Sequence, residues 1–72
     1  MKLNTLTGVY MEHYYVVNGN EYGVDLGTKK NFTNLEDAEK HFECVKFDDF
    51  ICIIGYINPY GVEIVIKDFI NE

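Results

Sequence analysis

Apolar and polar residues change rhythm three times along the chain. From Gly8 to Gly27, GVYMEHYYVVNGNEYGVDLG reads as a hairpin. Its first arm is rich in Tyr, Val and Met, residues that suit a half-buried pleated surface. NGN at Asn18 to Asn20 offers the residues that tolerate φ > 0, so the turn is expected there. The second arm alternates, with Tyr22, Val24 and Leu26 on one face and Glu21, Gly23 and Asp25 on the other. GTKKN is expected to end that strand.

The period then lengthens. In TNLEDAEKHFECVK, Leu35, Ala38, Phe42 and Val45 recur at helical spacing and form one inward stripe. Thr33 with Glu36 three residues on matches a capping box, and early acids suit the positive end of the helix dipole. Glu36 and Lys40 are spaced to pair on the outer surface. Alternation returns in DFICIIGYINPYGVEIVIKDF, where NPYG at Asn58 to Gly61 fits a type I turn. The order is ββαββ. It predicts a single α+β domain, with an antiparallel sheet of about four strands and one helix on one face.

One helix covers one face of such a sheet. Tyr22, Val24, Leu26, Ile51, Ile53, Ile57, Val62, Ile64 and Ile66 are assigned to the covered face. The other face should then be polar, as antiparallel sheets usually alternate. It is only partly so: Phe50, Cys52, Ile54, Tyr56 and Val65 fall there, and the first strand is apolar on both sides. An uncovered patch rich in Tyr points to a protein interface, with a partner or as a homodimer. A terminal segment folded over the face, or a different register, would remove the surplus.

Composition narrows the partner. The chain has 72 residues and a net charge of −6, with six Lys and no Arg. A chain this short buries only about 60% of its unfolded surface, so association is a natural source of stability. Nucleic-acid binders need cations for phosphates and Arg for guanine edges, so direct nucleic-acid binding is not expected. Acidic character instead suits a protein with a basic surface. Phe, Tyr, Met, Ile, Asn and Lys are abundant, and their AT-rich codons point to a low-GC bacterium, phage or plasmid. MKLNTLTGVYMEH lacks a signal-peptide core, and FICIIGYI is too short to span a bilayer. A cytoplasmic location without membrane attachment is expected, where cysteines stay reduced.

Candidate chemistry is sparse. His13, His41, Cys44 and Cys52 lack the paired-knuckle spacing of a zinc site. On a helical wheel Cys44 points about 140° and His41 about 80° from the inward stripe, which does not converge them. No nucleophile–base–oxyanion signature, carboxylate pair or phosphate-binding glycine loop stands out. No enzyme activity and no cofactor are expected. The reading is a small acidic binding protein, phage- or mobile-element-encoded. It would inhibit a host protein, such as a nuclease, by occupying a basic surface in the anti-restriction or anti-CRISPR manner. Glu36, Glu43, Asp48 and Asp49 are the candidate charged contacts, and Tyr10, Tyr14, Phe50 and Tyr56 the apolar contacts or dimer face. The alternatives are a homodimeric structural or regulatory accessory and, as a minor case, a metal- or thiol-dependent protein.

Overall fold

The computed structural model describes residues 11–72. Strands β1 (His13–Asn20) and β2 (Gly23–Phe32) precede helix α1 (Leu35–Val45), and β3 (Ile51–Ile57) and β4 (Glu63–Ile70) follow it. The sheet is antiparallel in the order β2-β1-β3-β4, so the ββαββ α+β architecture is observed. The two hairpins meet through their inner strands, β1 and β3, which pair along their whole length from His13↔Ile57 to Gly19↔Ile51.

The hairpin turn lies beyond the expected NGN. Glu21 and Tyr22 make it, Asn20 Oδ1 accepts from the Tyr22 N–H, and Gly23 takes φ +147°. Asn18 and Gly19 are instead inside β1 and buried. Backbone from β2 crosses so close to Gly19 that a Cβ would sit 2.5 Å from the Gly23 carbonyl oxygen. GTKKN does not end the strand. β2 continues to Phe32, and an irregularity absorbs the excess, because Val16 pairs with Lys30 while Asn18 pairs with Asp25. Thr28 Oγ1 anchors the detour by accepting from the Asn18 N–H at 2.8 Å and donating to the Asp25 carbonyl at 2.7 Å. The second turn forms as expected, with Gly61 N–H donating to the Asn58 carbonyl at 2.9 Å.

α1 starts one residue later than the capping box implies. Asn34, not Thr33, is the N-cap, and its side chain accepts from the Asp37 N–H at 2.8 Å. Ala38 and Phe42 are buried, with Leu35 and Val45 packed beside them. At the other end Asn18 Nδ2 donates to the Val45 carbonyl at 3.0 Å, which ties the last turn to β1. The core under the helix is Val16, Cys52 and Ile54, flanked by Tyr14, Phe32 and Phe69.

That core reverses the expected faces of β2 and β3, while on β4 Ile64 falls on the helix side and Val65 on the open side, as expected. Cys52 and Ile54, assigned to the uncovered side, are fully buried under α1. Val24, Leu26 and Ile53, assigned to the covered side, line a hollow on the opposite face with Tyr15, Val17 and Val65. Register fixes the rest. Tyr56 lies opposite Tyr14 and Ile64, on the side of Ile54, while Ile51 and Ile57 fall on the side of Ile53. The physical reason is that β3 is apolar at both odd and even positions, so its own sequence does not distinguish its faces.

Candidate functional site

The acidic candidates sit along and beyond α1. Glu36 is in its first turn, and Glu39 and Glu43 follow at three- and seven-residue spacing, which keeps all three on one exposed face. Glu36 to Glu43 covers about 10 Å of helix axis. Glu43 is engaged: its carboxylate lies 2.7 Å from Lys46 Nζ, a hydrogen bond that holds its pKa below the usual range. The expected Glu36–Lys40 pair is not the one the helix makes. Lys46 is itself surrounded by rings, with Phe69 at 5.1 Å, Phe47 at 5.4 Å and Phe42 at 5.9 Å from its Nζ. This cation–π setting fixes the lysine and, through it, Glu43.

Asp48 and Asp49 follow in the connection to β3, and both are exposed. Asp49 Oδ1 accepts from the Phe50 N–H at 2.8 Å and so shapes the entry into the strand. Asp49 also borders an open depression of about 330 Å³ with Asp25, Asn20 and the turn residues Tyr22 and Gly23. Phe47 and Phe50 flank the two aspartates and remain exposed at 63% and 39%, so aromatic surface lies directly beside the acids.

The apolar candidates are dispersed. Tyr10 lies outside the described residues. Tyr14 and Tyr56 stack with ring centroids 5.0 Å apart on the helix side of the sheet, and both are half-buried. Tyr56 donates to Glu12 Oε1 at 2.7 Å, and this bond is the main reason its phenol pKa is raised. Phe50 lies in the connection before β3, away from this pair in the fold.

The sequence reading missed the cluster on the open face. Tyr15 on β1 extends its ring over Gly55 on β3, where an added Cβ would meet ring atoms at 2.1 to 2.4 Å. Its hydroxyl donates to Glu63 on β4, and Lys29 Nζ from β2 stands 4.5 Å from its ring centroid. One tyrosine therefore links residues of all four strands. Burial, then the Glu63 hydrogen bond and charge, push its pKa up to about 12. Gly55 was the available signal, because a glycine inside a strand often marks close approach by a neighbour.

The histidines and cysteines do not converge. His41 packs on Phe32 with centroids 5.4 Å apart, and its pKa is lowered by burial and by Lys30 against an opposing pull from Asp48. His13 Nδ1 lies 2.9 Å from the Met11 carbonyl oxygen. Cys44 is exposed, whereas Cys52 is in the core, where burial raises its thiol pKa. Among the described residues no three of His, Cys, Asp or Glu are grouped as metal ligands. No helix among them is long and apolar enough to cross a membrane. The chain matches no protein-family model, no curated protein and no solved structure.

Proposed function

We propose that the chain is a small non-enzymatic binding protein, and that the side carrying α1 seats on the basic surface of another protein. The observation that carries this reading is the run of exposed carboxylates Glu36, Glu39 and Glu43 on one helix face, continued by Asp48 and Asp49 beside exposed Phe47 and Phe50. Charged groups of one sign speed encounter and select an oppositely charged surface, while aromatic side chains supply the contact area. The net charge of −6 gives the field its sign. Basic protein surfaces are common where nucleic acid binds. A host nuclease blocked by a phage- or mobile-element-encoded inhibitor is therefore the specific form of the reading.

The test is retention of a partner from the lysate of a low-GC bacterium. The bait is the wild-type chain, beside a variant combining Glu36→Lys, Glu39→Lys, Asp48→Lys and Asp49→Lys. Wild type should retain a basic protein that about 0.5 M salt releases, since screening at that strength shortens charge interactions to a few ångströms. The variant should retain none of it while keeping its circular dichroism, and the wild-type chain should inhibit the purified partner's nuclease activity. Retention unaffected by salt and by the four reversals would reject the reading.

A further inference from the structure

The sheet face turned away from α1 has a layout that selects its own occupant. Its hollow of about 300 Å³ is floored by Tyr15, Val17 and Ile53, and its two rims differ. Val24, Leu26 and Lys29 rise from β2 on one side, Glu63 and Val65 from β4 on the other. Leu26 is 70% exposed and Val65 56%, so apolar surface stands at both rims. The charges on the rims are opposite, the cation Lys29 on β2 and the carboxylates Glu63 and Asp68 on β4. The charged ends of Lys29 and Glu63 both reach the Tyr15 side chain, although Glu63 pairs through Ile57 at the level of His13 and Lys29 adjoins Lys30 at the level of Val16.

Charge separates this face from the helix side. Two chains of net charge −6 repel where their acidic helices meet, whereas across this face Lys29 on one rim can meet the carboxylates Glu63 and Asp68 on the other. A two-fold axis parallel to the strands and through the hollow lays β2 of one copy over β4 of the other. Lys29 then faces the second copy's carboxylate rim and Leu26 its Val65 rim, and symmetry repeats each contact. A two-fold axis across the strands would instead set Lys29 against Lys29. The aligned arrangement is also the one in which two twisted sheets pack face to face, with strands about 30° apart.

The area is sufficient. Four strands of eight residues present a face of about 19 by 26 Å, or roughly 500 Å² per copy. Two copies would bury roughly 1,000 Å², the lower bound for a specific association.

We infer that this face is an interface between two copies of the chain, packed sheet to sheet about an axis along the strands, with Lys29 opposite Glu63 and Leu26 opposite Val65. The inference is independent of the acidic-surface reading, because both helices stay on the outside of the pair.

Sedimentation equilibrium of the full chain tests it. Wild type should pass from monomer to dimer as concentration rises from about 1 μM to about 1 mM, the range expected for an interface of minimal area. Leu26→Asp should raise the dissociation constant at least about tenfold with unchanged circular dichroism, since the exposed side chain contributes little to the monomer. Lys29→Glu and Glu63→Lys should each weaken self-association, and an equimolar mixture of the two should recover it, because only the mixed pair restores opposite charges at both contacts. A monomer throughout the range overturns the inference, as does a dimer indifferent to Leu26→Asp and Lys29→Glu. Failure of the mixture to recover association overturns the proposed axis.

Discussion

The two faces of this sheet are made from the same strands and are both apolar at the centre, yet they are closed in different ways. On one, α1 lays Ala38 and Phe42 over Val16, Cys52 and Ile54, and all five become fully buried. On the other, no element among the described residues does this. Tyr15 lies down over Gly55, reaches Glu63 and is overlaid by Lys29, so one ring is buried while the rims stay open. Each face has a tyrosine bonded to a glutamate, Tyr56 to Glu12 and Tyr15 to Glu63, but only Tyr15 is fully buried. The difference shows that apolarity alone does not decide which face a helix covers. The face without the helix is left with a smaller, side-chain-built cover.

The largest effect should come from taking away the helix anchor. Phe42 is buried at the centre of the covered face, so Phe42→Ala should cost about 3–5 kcal/mol by lost transfer energy and a residual cavity. That approaches the whole stability of a domain this small. Urea unfolding followed by circular dichroism should therefore find the variant mostly unfolded at 25 °C. A loss below about 1 kcal/mol would mean that the two faces do not differ as described.

The next effect falls on the open face. Gly55→Ala places a methyl where the Tyr15 ring lies, and the ring has to leave. Expelling it should cost roughly 1–3 kcal/mol, the usual range for overpacking. Tyr15→Ala should cost a similar amount for the loss of the same cover. The double variant should cost less than the sum, because once the ring is absent the methyl no longer meets its closest neighbours. Additive losses in the same unfolding experiment would show that Tyr15 does not cover Gly55.

Much of this architecture was readable in the chain, and the unread part has a common cause. The helix stripe Leu35, Ala38, Phe42 and Val45 and the turn at Asn58–Gly61 follow from local periodicity and turn chemistry, and the structure contains both. The faces of β3 do not follow, because Phe50 to Ile57 is apolar in both registers and only contacts from distant strands select one. The same holds for the β1–β2 turn. NGN is a strong local signal, but Asn18 is used instead to hold the carbonyl of Val45, twenty-seven residues away. Of the candidate contacts, the acids on α1 were placed by the helical period. The Tyr15, Lys29 and Glu63 cluster joins three strands and left no trace except the glycine it covers.

Alkaline pH should weaken the open face through Tyr15. Folded Tyr15 keeps its proton up to about 12, whereas in the unfolded chain the phenol titrates near 10.0. Between those values the unfolded state binds fewer protons than the folded state, so stability falls as pH rises. The contribution is fully present below the unfolded value and is lost through the folded one, amounting to about 1–2 kcal/mol. Tyr15→Phe should remove that part of the pH dependence when unfolding is measured from pH 9 to pH 12, a window set by the phenol's two values. Tyr56→Phe should leave most of it, because Tyr56 is only half-buried. Equal flattening by both variants would break the distinction between the two tyrosines.

The smallest effect concerns where the covering helix begins. Thr33 and Asn34 are adjacent and both are competent caps, but only Asn34 accepts from the Asp37 N–H, and it does so with extended backbone at φ −139°. Its Nδ2 also donates to the Asp37 carboxylate at 3.2 Å, so the side chain uses both ends of its amide. Asn34→Ala leaves that N–H to water and should cost about 1 kcal/mol. Thr33→Ala, outside the first turn, should stay within about 0.5 kcal/mol. If the costs were exchanged, α1 would begin one residue earlier and the capping box with Glu36 would be formed. The helical phase of the buried stripe would not change, since Ala38 and Phe42 are fixed by the sheet beneath them. The cap therefore sets how firmly the helix end holds, while packing on Val16, Cys52 and Ile54 sets which face of the sheet it covers.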